Sequence, residues 1–272
     1  MNEYFLAGKP HVLLKKWRDE YGPIFGFYYY DAPRKRKVLR VVLSDPAECR
    51  RILKINPPKT RAYEDSIILG EGVLSTTDLK EWDRQRNLIK PVFSTESLKS
   101  LLPIMKQACG ELMQLLSEAS KSKKTIDIHE ILSEHTFSII AQSALGEESE
   151  FIKRRAKKLR EAFNVATLRE SSRSDIQHDK DYIQARAEIL DFTRETILRY
   201  ENQSTEGECP FKNHGSLIST IMKKDENGKP FLTPKQQSDE LSTFMFAGYN
   251  FFFFLVNYYF FIFIFILFFL FG

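Results

Sequence analysis

The sequence predicts a mainly helical fold with one small β-sheet near its N-terminus. Three observations lead there. Apolar residues recur three and four apart through most of the charged segments, the spacing of a single helix face. Only one pair of runs, residues 24–30 and 38–43, is aromatic and β-branched over strand length, and the polar turn Asp31-Ala32-Pro33-Arg34-Lys35-Arg36 separates them as in a hairpin. Several helical segments also open on a capping box or on a cap followed by proline.

Taken in order, Pro10 opens a helix whose Leu13, Leu14, Trp17 and Tyr21 return at helical spacing, and Gly22-Pro23 stops it. The hairpin follows. Asp45-Pro46-Ala47-Glu48 starts a short helix reaching about Lys54. Residues 55–77, with Pro57-Pro58, Gly70 and Gly72, read as a long loop, and loops of that length are usually functional. Asp78 and Glu81 form another capping box, and their helix carries Trp82, Arg86 and Ile89 before Pro91. Ser94 or Thr95 caps one longer helix with the apolar stripe Leu98, Leu101, Leu102, Met105, Leu112, Leu115 and Leu116, and residues 121–124 form a solvated turn. A helix over 129–145 ends at Gly146, and a basic amphipathic helix covers 150–168. A polar surface loop over 169–180 precedes a helix over 181–201, and a second polar loop covers 202–215. A short helix over 216–223 and the turn Asp225-Glu226-Asn227-Gly228 lead to Thr233-Pro234-x-Gln236, the last helix start.

Composition narrows the function classes. A net charge of +4 over 272 residues leaves no basic footprint for nucleic acid. The 28% of charged residues is an average over two unlike parts: residues 251–272 carry no charge and hold eleven of the 23 phenylalanines. Cys49, Cys109 and Cys209 are odd in number and widely spaced, which argues against a disulfide framework and matches no metal-ligand spacing. Residues 2–20 are charged throughout, with neither a signal peptide nor an N-terminal anchor among them.

Three stretches carry a family resemblance. Glu20-Tyr21-Gly22-Pro23-Ile24-Phe25 runs from helix into strand and leads to Ser44-Asp45-Pro46. Trp82-Asp83-Arg84-Gln85-Arg86, followed by Pro91-Val92-Phe93-Ser94, has the pattern W-x-x-x-R then P-x-F-S. Leu232-Thr233-Pro234 leads through Asp239-Glu240-Leu241 to Ala247-Gly248. In this order the stretches resemble the N-terminal half of the eukaryotic cytochromes P450, haem-thiolate monooxygenases, over about residues 5–248. The resemblance implies haem as cofactor, with Trp82 and Arg86 at its propionates and Ala247 and Gly248 on the helix that passes over it. Four residues apart, Trp82 and Arg86 share a helix face, and a guanidinium and an indole N–H suit carboxylates. The same spacing also fits an arginine merely stacked on tryptophan, and Ala247-Gly248 also fits close helix packing. An apolar organic substrate, a redox partner and the endoplasmic reticulum membrane are what the resemblance implies for a complete enzyme.

The chain departs from the family after Gly248. Where the family has an acid and a threonine stand Asn250 and Phe251, which cannot relay a proton in the same way. No cysteine sits in the family's iron-ligand loop F-x-x-G-x-R-x-C-x-G, so the axial thiolate is missing. The expectation is therefore a P450-like part over residues 1–250, truncated in the long central helix and inactive as written, followed by an apolar tail over 251–272 outside the fold. The tail is just long enough to span a bilayer, and its Phe, Ile, Leu, Tyr and Asn can all be encoded by T and A alone. A translated intron or faulty gene model and a real membrane anchor are the two readings. The alternative function is a non-catalytic helical protein held to a membrane by that tail.

Overall fold

The computed structural model describes residues 10–31, 35–55, 58–59, 63, 66, 68–145, 149–172, 178–206 and 216–248. Residues 32–34 of the polar turn between the strands, the loop centre near residue 175, Cys209 and the whole apolar tail lie outside the described residues. The chain forms two compact units, residues 1–58 and 59–272.

The first unit is helix α1 (Pro10–Tyr21), strands β1 (Ile24–Asp31) and β2 (Arg36–Leu43), and helix α2 (Pro46–Ile55). Gly22 ends α1 at φ +92°, a left-handed turn that glycine makes without a Cβ clash, and its N–H reaches Arg18 O at 2.9 Å. The strands pair antiparallel, Ile24 opposite Leu43 and Tyr28 opposite Leu39. Strand alternation puts Phe25, Phe27 and Tyr29 on one face, where Trp17 of α1 lies 5.1 Å from the Phe27 ring and 6.3 Å from Phe25. Asp45 caps α2, its Oδ1 accepting the Ala47 and Glu48 N–H groups at 2.9 Å each.

The second unit is helical. Helix α3 (Leu79–Ile89) passes through a 3-10 turn (Lys90–Phe93) into α4 (Thr95–Ser100) and α5 (Leu102–Ser122). The single long helix expected after Ser94 is thus two. Ser94 caps only α4, and Pro103, which offers no N–H, lies in the first turn of a new helix. Helix α6 (Ile128–Ile140) runs into a π-helical turn (Ala141–Leu145), followed by α7 (Ser149–Ser172), α8 (Lys180–Glu206), α9 (Leu217–Ile221) and α10 over residues 234–248. Helices α7 and α8 run past their expected ends at residues 168 and 201, to Ser172 and Glu206.

Helices α7 and α8 pair with each other. Phe151, Ala156, Leu159, Phe163 and Ala166 on one helix and Tyr182, Ala185, Ile189 and Phe192 on the other are buried at helical spacing. Phe151 stacks on Phe192 at 5.8 Å, and Arg155 reaches Glu188 and Glu195 at 3.5 and 3.4 Å. Burial of each phenylalanine stabilises by roughly 1.5–3 kcal/mol, enough to carry a helix through polar residues of modest propensity. Glu170 closes this end: it accepts the Tyr182 hydroxyl at 2.8 Å, Ser66 Oγ at 2.9 Å and Ile68 N–H at 3.1 Å. Burial and the Glu170 carboxylate push the Tyr182 phenol well above its usual range.

Helix α10 enters the core with Leu241 and Met245 fully buried and Phe246 6.2 Å from the Phe163 ring. Its start is a complete capping box: Gln236 N–H donates to Thr233 Oγ1 at 3.2 Å, and Thr233 N–H to Gln236 Oε1 at 3.1 Å.

Candidate functional site

Helix α3 is half surface and half anchor. Asp78 caps it, accepting the Lys80 and Glu81 N–H groups at 2.8 and 3.1 Å. The capping box expected there is used differently, because Glu81 turns its carboxylate to Arg84, Gln85 and Gln236. The Arg84 hydrogen bond is the main reason the Glu81 carboxyl is held below its ordinary range. Arg84 also donates to Phe231 O and to Gln236 Oε1. Buried Gln85 donates to Glu71 O at 2.9 Å. One side of α3 is thereby tied to the start of α10 and to the loop before it.

Trp82 and Arg86 occupy the other side. The Arg86 guanidinium lies 4.9 Å above the Trp82 ring, with Trp82 half-buried and Arg86 exposed. Among the described residues neither side chain has a hydrogen-bonded or ionic partner. Stacking fixes the guanidinium plane and leaves its fork of donors unused, while the indole N–H is also unused. That donor set fits carboxylates. Lys59 lies beside it, with Nζ 6.0 Å from the Trp82 ring, held by Val73 O at 2.6 Å and Leu74 O at 2.8 Å. Burial lowers the Lys59 pKa, and the nearby Glu240 carboxylate opposes that shift.

Ala247 and Gly248 end the described part of α10 and face differently. Gly248 is buried, and a Cβ there would overlap the Ile140 side chain of α6. Its small size is used by helix packing. Ala247 is exposed, one turn beyond Phe244, whose ring stacks on Phe93 at 5.9 Å. The 3-10 turn after α3 therefore meets α10 just before the small-residue step.

The sequence reading missed the clamp that seats the loop. Asp239 Oδ2 accepts Glu71 N–H at 2.8 Å and Glu240 Oε1 accepts Val73 N–H at 3.0 Å, so neighbouring acids of α10 take alternate amides of one turn. Lys235 bridges Glu71 and Asp239 at 2.9 and 3.0 Å. The available signal was an adjacent acid pair beside Leu241, in line with Gly70-Glu71-Gly72. A cleft of about 800 Å³ opens beside this clamp, lined by Thr76, Asp78, Arg186, Lys235 and Asp239 among others. Charged and hydroxyl groups make it unsuited to an apolar molecule. Of the cysteines, Cys109 is exposed, and Cys49 is half-buried with Sγ 3.5 Å from Leu43 O.

The family model for cytochrome P450 matches residues 2–251. The Caenorhabditis elegans cytochrome P450 CYP13A8 is 32% identical over 51% of this chain and 27% of that protein. The Vicia sativa cytochrome P450 94A2 is 26% identical over 78% of this chain and 41% of that protein. Rattus norvegicus thromboxane-A synthase is 26% identical over 48% of this chain and 24% of that protein. The chain thus spans from about a quarter to under half of the length of these curated relatives.

Proposed function

Because this chain belongs to the cytochrome P450 family, whose cofactor is haem, we propose that Trp82 and Arg86 form the carboxylate-holding edge of a haem site. In the complete protein that site serves monooxygenation of an apolar organic substrate, with electrons supplied by a redox partner. The observation that carries this reading is the stacked, exposed Arg86 whose donors no described residue uses. The chemistry that haem supplies when bound is activation of dioxygen for hydroxylation.

In this assignment Arg86 binds one carboxylate through its planar fork, and the Trp82 N–H adds a donor from the same helix face. Clamping of α3 through Glu81, Arg84 and Gln85 holds both residues in place before any ligand arrives. In the same assignment the exposed Ala247 methyl is a small surface for the helix that passes over the haem, while Gly248 lets α10 approach α6. Asn250 and Phe251 hold no carboxylate or hydroxyl for proton transfer.

A polypeptide of these 272 residues has no cysteine in the iron-ligand pattern, and in our reading it gives no thiolate-bound haem and no turnover. Residues 251–272 lie outside the P450 fold in the same reading, supported by a family match that ends at residue 251. In the same reading the complete protein works at the endoplasmic reticulum membrane, which the family resemblance supports. Among the described residues no helix is long and apolar enough to cross a membrane.

The test is haem retention on gel filtration combined with the reduced, CO-bound spectrum. The wild-type chain should retain more haem than Arg86→Ala, Arg86→Lys should fall between them, and no thiolate-type Soret band should appear. Equal retention by Arg86→Ala refutes the propionate role, and a thiolate-type band refutes the loss of ligation.

A further inference from the structure

We propose that Glu240 is a positioning residue that latches the loop over residues 70–75, and through it helix α3 with Trp82 and Arg86, onto α10, and that the latch loosens when its carboxyl loses its proton. The inference goes beyond the haem reading and does not depend on it.

Glu240 is 0% exposed. Its Oε1 takes the Val73 N–H at 3.0 Å, but among the described residues the buried Oε2 has no hydrogen-bond partner, and neither has Thr243 Oγ1 one turn further along. A carboxylate with one bare oxygen in a dry site carries a large desolvation cost, which a proton on that oxygen removes. Burial accordingly pushes the Glu240 carboxyl up to about 7, the Val73 N–H opposing and the Asp239 carboxylate adding to the shift. The charged groups around it are Lys59 before the loop, Glu71 within it, Glu81 and Arg84 on α3, Lys235 and Asp239 on α10, and Arg186 on α8 at the cleft.

The loop has little freedom to reseat. Gly70, at φ +50°, leaves no room for a Cβ against the Asp239 carboxylate, and a Cβ on Gly72 would overlap Thr243 Oγ1. Movement of the loop reaches α3 because Gln85 holds Glu71 O at 2.9 Å, and it reaches the Trp82 ring because Lys59 rests on Val73 O and Leu74 O.

The sign follows from linkage. With the folded pKa raised from 4.5 to about 7, the stabilisation is complete below about 4.5 and is lost as pH rises through about 7. Between pH 6 and 8 the loop-opening constant should rise about tenfold.

Hydrogen exchange of the full chain, corrected for intrinsic rates, tests this. Protection across residues 69–76 should fall about tenfold from pH 6 to pH 8, while residues 156–166 in the α7 core stay level. Glu240→Gln keeps an oxygen for Val73 and cannot titrate, so its profile should be flat; Asp239→Asn should keep the pH dependence. A flat wild-type profile overturns the proposal, as does an unchanged slope in Glu240→Gln. If Glu240→Gln loses its helical circular dichroism, the wild-type profile decides alone.

Discussion

Gly248 and Glu240 show how one side chain sets what its helix does. At Gly248 two effects oppose each other: alanine gains roughly 0.5–1 kcal/mol of helix propensity over glycine, and its Cβ must displace Ile140. Overpacking a tight contact costs about 1–3 kcal/mol, so the contact should win. Gly248→Ala is expected to lower the urea midpoint, and adding Ile140→Ala should restore part of the loss relative to Ile140→Ala alone. A wild-type midpoint for Gly248→Ala would remove the packing account. At Glu240 the deciding effect is burial, which pushes the carboxyl of an acid in the middle of a helix up to about 7, so that it changes charge near neutral pH.

At the scale of elements, α10 is where the unit is tied together. Its capping box also supplies Gln236 to Glu81 at 2.8 Å, so the residue that starts the helix also docks α3. Thr233→Ala removes the cap oxygen and should cost about 1 kcal/mol, the usual value for an N-cap. Gln236→Ala should cost more, because it breaks the reciprocal cap and the tie to Glu81 together. Chemical denaturation of the two variants measures the difference; equal losses would mean that the Glu81 contact adds nothing. Helices α7 and α8 are instead held by mutual burial along their middles, from Phe151 to Ala166 and from Tyr182 to Phe192.

Across the whole molecule, the stripe expected on the helix after Ser94 is poorly covered. Of its members Leu98 is 45% exposed, Leu102 58% and Leu115 36%; Met113, beside the stripe, is 65% exposed, and Ala108 is the buried residue of α5 among those described. Exposed apolar surface on this scale favours self-association. Sedimentation of a chain lacking residues 251–272 should still show association, and Leu102→Gln, Met113→Gln and Leu115→Gln together should reduce it. If the deletion alone yields a monomer, the tail and not the α5 stripe is the adhesive surface, and the membrane-anchor reading gains.

Fold class, the hairpin, the stop at Gly22-Pro23 and the starts at Asp45, Asp78, Ser216 and Thr233 were legible in the sequence, because each rests on local geometry within a few residues. The family was legible for a related reason: W-x-x-x-R, P-x-F-S and the Ala-Gly step are short patterns whose order survives without coordinates. The split of one expected helix at Pro103 rests on local signals that the pattern of apolar residues overrode, whereas the second use of Glu81 depended on a partner far along the chain, Gln236. So did the clamp of Asp239 and Glu240 on Glu71 and Val73, which joins residues 168 and 167 positions apart. The tertiary structure also separated Ala247 from Gly248, exposing one and packing the other. Local rules say where a helix starts; which of its faces is dry, and so which acid holds its proton, is decided only by what packs against it.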